Sequence, residues 1–569
     1  MGIKKSRAEQ MVCKLYSNIA LILLVVAVLA GCSSSKENSP ATVTPGKEVA
    51  EQTTNIATMA PAGETSNKFD PPVEVTMVNL AYGAIAFGPN EDMNNNRWNT
   101  YIKDHYGISV KSLWDAPGDQ LEQKTNLMIA TGNLPDIFLA TPKQFVQLNN
   151  AGLIEDLTDV YEKYAPQNIK DIMSQAGQEV TDAATVKGRL MALPWTGSVK
   201  ESVPVVWIRE DWMKKLNLTG PKTMDDLLAI AKAFTTGDPD GNSKPDTNGL
   251  PIDKDFTLIN AFLNGYHAYK DIWIKDSSGK LVYSSVQPEL KTALAKLQEM
   301  YKAGEIDQEF GVKDTSKVTE SIGSNKLGIF LGSMGGGNTL AALTPDVKWN
   351  SYPIPSIDGS QTLLQHPLNI NYGFWVVKKG IQHPEVLYKL ADAWFKLFYE
   401  NKDEDIYVKY NSDQKTAFFL QAPVQVYKPY KNMETSIHLA PILESGKTAT
   451  DEELSKLTPE ERLNYGFIQK YMAGDQSFWK YASRSGIGGA GDIVSQYVQN
   501  NQFKPDQFVG APTPTMVQKG AILQKMEDQM ITKIITGAPI DQFDQFVAEW
   551  NKLGGEQMTQ EVNDWYNNN

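Results

Sequence analysis

The sequence predicts an α/β fold with parallel strands in a chain long enough for more than one domain, and three observations support that. Residues 73 to 140 alternate short strand-like and helix-like stretches in the rhythm of a βαβ unit. Helices further along are marked by Thr or Pro start signals followed by apolar stripes. Hydrophobic residues make up 41% of the chain and aromatic ones 10%, enough for large cores; a folded part of roughly 500 residues gives about two to four domains on length alone.

In chain order, Lys4, Lys5, Arg7 and Lys14 precede an uninterrupted apolar run from Ile19 to Ala30. The run is too short for a stable membrane span and long enough for the core of a signal peptide. Leu29-Ala30-Gly31-Cys32 follows and resembles the lipobox of bacterial lipoproteins. The resemblance implies cleavage after residue 31 and lipidation of Cys32; an ordinary signal peptide with a chance cysteine is the alternative. Cys13 would leave with the signal and Cys32 would become a thioether, so the mature chain has neither disulfide nor free thiol. Removing the segment, which carries a net +3, takes the formal charge from −13 to −16. So acidic a chain disfavours nucleic acid and a polybasic membrane patch, leaving the lipid anchor as its membrane contact. Residues 32–70 are rich in Ser, Thr, Pro, Gly and Glu with almost nothing to seed a core, and read as a disordered tether.

The folded part opens with an alternating strand at Val73 to Leu80, then a helix-like stretch from Trp98 to Tyr106 and a strand at Val110 to Trp114. A helix from Gln123 to Thr131 is closed by Gly132, and Leu134 to Ala140 reads as the next strand. Thr223 is placed at an N-cap with Asp226 three residues on and a buried stripe of Leu227, Leu228, Ile230, Ala231 and Phe234; Thr458-Pro459-Glu460-Glu461 repeats the device. Pro288 to Tyr301, Pro384 to Tyr399 and Val517 to Ile535 are long amphipathic segments.

Several stretches in this order resemble the family 1 extracellular solute-binding proteins of ABC importers, in the lipoprotein branch similar to alginate-oligosaccharide-binding proteins. They are Lys124 to Phe138, Val206 to Phe234, Asn371 to Trp375, and the run from Phe508-Val509-Gly510 to Asp564-Trp565-Tyr566. The resemblance implies a two-lobed periplasmic-binding-protein-like fold with a hinge and a ligand cleft between lobes, approximately 71–198 with 352–430 and 199–351 with 431–569. It also implies a carbohydrate ligand, ABC permease transmembrane subunits as partners, a monomer, and a place on the outer face of the cell membrane. A peptide or another solute on the same fold is the rival reading.

Asp238-Pro239-Asp240-Gly241-Asn242-Ser243-Lys244-Pro245-Asp246 places side-chain oxygens at positions one, three, five and nine and the Lys244 carbonyl at seven, the spacing by which a loop wraps Ca²⁺. It departs from the helix-loop-helix pattern at Ser243, where glycine is usual, and at Gly249, where a bidentate glutamate is usual. It is similar to the single calcium loop of the alginate-binding relatives, with a structural role for the ion; the alternative is a surface loop of Asx-turns.

Sugar sites need flat apolar surfaces and a few polar groups. Among 12 tryptophans and 23 tyrosines, position selects Trp195 near the first expected crossover, Tyr372 and Trp375 where the chain re-enters the first lobe, and Trp479 ahead of a Ser/Gly-rich run. Asn338 closes the turn Ser333-Met334-Gly335-Gly336-Gly337 after a strand from Leu327 to Leu331. Core packing is the competing explanation for each tryptophan. Signals for catalysis are weak: His105, His267, His366, His383 and His438 are scattered, Gly446-Lys447-Thr448 lacks the leading glycine of a P-loop, and there is no G-x-S-x-G elbow. Paired carboxylates of a glycoside-active enzyme cannot be read from sequence, so that alternative stays open.

Overall fold

The structure of the protein is a computed structural model that describes residues 68–80, 87–510 and 512–568. The chain separates into two units, Met1–Thr65 and Ser66–Asn569. The expected signal peptide, Cys32 and the tether up to residue 67 lie outside the described residues, and the fold is that of the second unit. Phe69 already belongs to it: its N–H donates to the Tyr106 carbonyl (2.9 Å) and its ring meets His383 edge-on at 5.0 Å.

The strands of the two main sheets are, in chain order, β1 (Val73–Leu80), β2 (Ile108–Ala116), β3 (Ile137–Ala140), β4 (Leu193–Thr196), β5 (Val205–Arg209), β6 (Ile329–Gly332), β7 (Trp349–Tyr352) and β8 (Ile370–Val377). The first sheet has the order β2-β1-β3-β8-β4. Its β1 runs parallel to β2, with Val75 opposite Val110, and to β3 through Met77 and Ile137. β8 enters antiparallel between β3 and β4, with Trp375 opposite Leu139 and Leu193. The second sheet, β6-β5-β7, is antiparallel throughout, with Trp207 opposite Phe330 and Ser351. Within these two sheets parallel pairing therefore holds only where a helix returns the chain in a βαβ crossover; a separate two-stranded pair, Leu364–His366 with Phe503–Pro505, is also parallel. β8 comes back from the other sheet, and β5 pairs with strands more than a hundred residues away, so neither is bound by that rule.

Alternation along the strands of the first sheet buries both faces. Val75, Met77, Leu139, Leu193, Trp195 and Trp375 point to one side, under the helices Arg97–Tyr106, Gln167–Ala176 and Val386–Phe395. Val78, Phe138, Ala140, Phe374 and Val376 point to the other, under Gly118–Thr131 and Pro142–Asn150. Local chemistry sets the ends: Asn96 caps the first helix by accepting from Asn99 N–H, and Gly107 ends it at φ 64°. A Cβ at Gly107 would lie 2.2 Å from the Phe69 carbonyl oxygen, so glycine is required on both counts.

A separate core surrounds the second sheet. It draws on residues from Val203 to Ile354 and returns for Met433 to Val562, including the long helices Met224–Thr236, Pro288–Lys302 and Pro514–Ile535. The Thr223/Asp226 and Thr458/Glu461 capping boxes form as the sequence predicts. Helix Pro514–Ile535 is held through a buried polar cluster: Lys270 pairs with Asp271 and approaches Glu527 and Asp528 at 3.7 and 3.6 Å, while the Tyr283 hydroxyl donates to Glu527 (3.1 Å). Two lobes, each an α/β layer structure with its own core, are thus joined by segments of irregular chain. Among the described residues no helix is long and apolar enough to cross a membrane.

Candidate functional site

The lobes are linked three times: by 197–204 between β4 and β5, by 353–369 between β7 and β8, and by 427–431 ahead of helix Lys431–Glu444. Hydrogen bonds lace these segments together. Thr196 Oγ1 donates to the Tyr427 carbonyl (2.7 Å), and Val199 N–H to Asn369 Oδ1 (3.2 Å). Glu201 accepts from the N–H groups of Asn432 and Met433 (both 2.9 Å), satisfying two otherwise orphaned donors at the start of helix Lys431–Glu444. Burial pushes the Glu201 carboxyl up, against the pull of those donors.

At this lacing lies a cleft of about 730 Å³. The first lobe contributes Asn371 and Tyr427. The second contributes Thr257, Leu258, Asn260, Thr315, Thr319, the β6 end Phe330 to Ser333, and Thr339. Gly197, Ser198, Ser202 and Gln365 to Pro367 come from the crossovers. Gly197 lets the walls approach, since a Cβ there would sit 3.0 Å from that of Asn371. The lining mixes hydroxyls and amides with aliphatic side chains such as Val199, Val203, Leu258 and Leu331, and carries two half-buried rings, Phe330 and Tyr427. Thr315 Oγ1 donates backward to the buried Asp253 carboxylate (3.0 Å), which leaves its lone pairs for a donor in the cleft. His366 is 2% exposed and burial lowers its pKa, so it is neutral near pH 7.

The aromatic residues singled out from sequence lie elsewhere. Trp195 and Trp375 are 1% and 4% exposed, their rings tilted against each other at 5.6 Å in the first core, and Trp375 Nε1 donates to the Gln425 carbonyl (3.1 Å). The strand ends predicted for them are real, but their side chains fall on the buried face of the sheet. Tyr372 is half-buried beside Trp195 (6.3 Å), next to the cleft residue Asn371 but not in the lining. Trp479 packs edge-on against Trp207 (6.4 Å) and borders a separate cavity of about 470 Å³ with Trp349, Tyr352 and Tyr471. Asn338 is exposed on the first turn of helix Gly336–Leu343, while its neighbour Thr339 faces the cleft. Missing from the sequence reading are Thr257, Asn260, Thr315, Thr319, Gln365, Phe330 and Tyr427, small polar residues and common aromatics whose convergence is purely tertiary. Only the strand Leu327 to Leu331 followed by Ser333 gave a signal.

The acidic loop at 238–249 follows helix Met224–Thr236 and is anchored at its exit by Thr247 Oγ1 donating to the Phe234 carbonyl (2.7 Å) and Asn248 N–H to that of Lys326 (2.8 Å). Asp240 Oδ2 and Asp246 Oδ1 both accept from the Asn242 amide nitrogen (2.6 and 3.0 Å) and so face one point. Asp238 is engaged instead by the Ser243 N–H at 3.2 Å, and Lys215 Nζ donates to the Asp238 carbonyl (2.8 Å). Among the described residues no three His, Cys, Asp or Glu side chains gather closely enough to hold a metal ion. The full expected set of Asp238, Asp240, Asn242, the Lys244 carbonyl and Asp246 is therefore not assembled: Asp240 and Asp246 converge on the Asn242 amide nitrogen, while the Ser243 N–H engages Asp238.

Residues 97–394 match the family described as "Bacterial extracellular solute-binding protein". The chain is 22% identical over 485 residues to "Lipoprotein LipO" of Bacillus subtilis (strain 168), covering 82% of this chain and 88% of that protein. It is 28% identical over 257 residues to the "Fructooligosaccharide ABC transporter substrate-binding protein FusA" of Streptococcus pneumoniae serotype 4 (strain ATCC BAA-334 / TIGR4), covering 42% of this chain and 46% of that one. Among solved structures, the alginate-binding protein AlgQ2 without calcium ion superposes with a TM-score of 0.53 at 18% identity, over 89% of this chain and 100% of that chain.

Proposed function

The chain belongs to the family of bacterial extracellular solute-binding proteins, which bind a transported solute rather than transform it, and on that premise we propose that it captures an oligosaccharide in the interlobe cleft and delivers it to the permease subunits of an ABC importer. The observation that carries this reading is the cleft lining, in which hydroxyls and amides stand among aliphatic side chains and the rings of Phe330 and Tyr427. Such a surface offers hydrogen-bond partners to sugar hydroxyls and apolar faces to ring C–H groups. The fructooligosaccharide-binding relative supports the ligand class. The lobes divide near 198/199, 351/352 and 430/431, and hinge closure about the laced crossovers buries the sugar. Trp195, Trp375 and Tyr372 serve as a rigid backing for the wall, and Trp479 and Asn338 lie outside the primary subsite. A thermal-shift screen against oligosaccharides tests the reading: a ligand at a hundred times its Kd adds about 2.7 kcal/mol of stability. A screen in which peptides shift the protein and no sugar does would overturn it.

Cys32 carries the anchor in this reading, supported by the lipobox-like Leu29 to Cys32 and the lipoprotein relative. Cys32→Ser abolishes labelling by a fatty acid and moves the protein from the cell fraction to the medium or to an unprocessed form. Labelling equal to wild type would remove Cys32 from that role.

The loop at 238–249 holds a structural Ca²⁺. Its donors are hard oxygens at the right spacing, Asp240 and Asp246 already face one point, and turning the Asn242 amide over would present its oxygen there. Asp238 and the Lys244 carbonyl complete the set. Calcium at a hundred times its Kd then raises stability by about 2.7 kcal/mol over chelated protein, read by calorimetry. Asp240→Asn together with Asp246→Asn erases the difference, and identical melting of wild type with calcium and with chelator would leave the loop a simple turn.

A further inference from the structure

Taking the carbohydrate reading of the cleft as its basis, we propose that the ligand is a neutral oligosaccharide and that the cleft discriminates against uronate-containing, polyanionic sugars. Among the described residues lining the cleft there is no Asp, Glu, Lys or Arg.

A carboxylate taken out of water needs a cationic partner, most effectively a guanidinium that grips it with two parallel hydrogen bonds. Cations do stand on the crossovers, but each is committed. Lys200 pairs with Glu179 (3.2 Å), Lys428 with Glu434 (3.1 Å) and Lys431 with Glu460 (2.6 Å). On the helix that presents Thr315 and Thr319, Lys317 pairs with Glu320 (2.9 Å). Behind the lining stands a carboxylate: Asp253, wholly buried, accepts from Thr315 Oγ1 and from the Leu258 N–H (both 3.0 Å). His366 is buried and neutral near pH 7, so it offers no cation either. Lys200, whose charge reaches His366 in the lining, is balanced there by Glu179, so among the described residues of the lining and crossovers no unbalanced cation meets an incoming sugar, within a protein of net charge −13. Neutral hydroxyls suit this wall, because Thr315 is polarised as an acceptor and the amides of Asn260 and Asn371 can both donate and accept, while the Gln365 amide is spent on the Lys270 backbone (3.1 and 2.6 Å).

The test is calorimetric titration of the full-length mature protein with three matched probes. One is the tightest neutral oligosaccharide from a panel of gluco-, manno-, galacto- and fructo-oligosaccharides. The second is its C6-oxidised uronate counterpart, and the third is the uncharged uronamide of the same size. The expected result is that oxidation weakens binding at least a hundredfold, that the uronamide stays within tenfold of the parent, and that the uronate deficit shrinks in high salt. A uronate that binds as tightly as the neutral sugar, or a uronamide that loses as much as the uronate, overturns charge discrimination and leaves the carbohydrate reading intact. If no oligosaccharide of either kind binds and another solute does, the carbohydrate reading fails and this inference fails with it.

Discussion

Trp375→Ala is expected to lose about 3–5 kcal/mol of folding stability while the folded variant keeps its affinity for ligand. The residue sits on β8 between β3 and β4, its ring 5.6 Å from Trp195, and its indole N–H is spent on the Gln425 carbonyl. Truncation opens a cavity in the one sheet that both returning strands share, and orphans a buried acceptor. Trp195→Ala should behave alike, since it is 1% exposed and packs against Trp375 in the same core. Urea denaturation and ligand titration on the same variants separate the alternatives. A small stability loss joined to a large affinity loss would make these rings sugar platforms after all.

Glu527→Gln is expected to stabilise the protein at pH 8 and to remove part of its pH dependence. Glu527 is wholly buried, and its pKa is pushed up to about 8 by that burial first and by the neighbouring Asp271 second, against the attraction of Lys270. Because the folded-state value lies above the ordinary carboxylate range, the folded protein binds more protons than the unfolded chain between roughly pH 4.5 and pH 8. Stability from this group is complete below that window and is lost as pH rises through it, at about 1.4 kcal/mol for each pH unit. The glutamine has no proton to lose and still accepts from the Tyr283 hydroxyl, so unfolding curves at pH 5 and pH 8 should converge in the variant. An unchanged slope would show that Lys270 keeps Glu527 ionised throughout.

Both expectations rest on features that differ in how far sequence reveals them. β1 was legible to the residue, because alternation with one strongly apolar face is a local property, and so were the capping boxes at Thr223 and Thr458, where donor and acceptor lie three residues apart. The two-lobed plan was legible from stretches in the order of a known family. That both faces of β4 and β8 would be buried was not: Trp195 lies near the end of β4 and Trp375 well inside β8, and helices far along the chain, such as Val386–Phe395, cover the face that carries them. The cleft was the least legible part. Thr257, Thr315, Gln365 and Tyr427 are unremarkable locally, and their meaning comes from crossovers that bring residues 197, 330, 371 and 427 to one place. The acidic loop shows the opposite case, a clear local pattern of which Asp240 and Asp246 converge on the Asn242 amide while Asp238 is drawn to the Ser243 N–H.

The most direct test of sugar capture between the lobes is calorimetric titration of wild type, Asn371→Ala and Phe330→Ala with one oligosaccharide. Asn371 is exposed on the first-lobe wall and Phe330 half-buried on the second, so the two truncations sample both sides of the cleft. Each should cost about 1–3 kcal/mol of binding, roughly tenfold to a hundredfold in Kd, with Asn371→Ala leaving the melting temperature nearly unchanged. Tight binding of the sugar with full affinity retained in both variants would contradict the account, because the ligand would then lie somewhere other than this cleft.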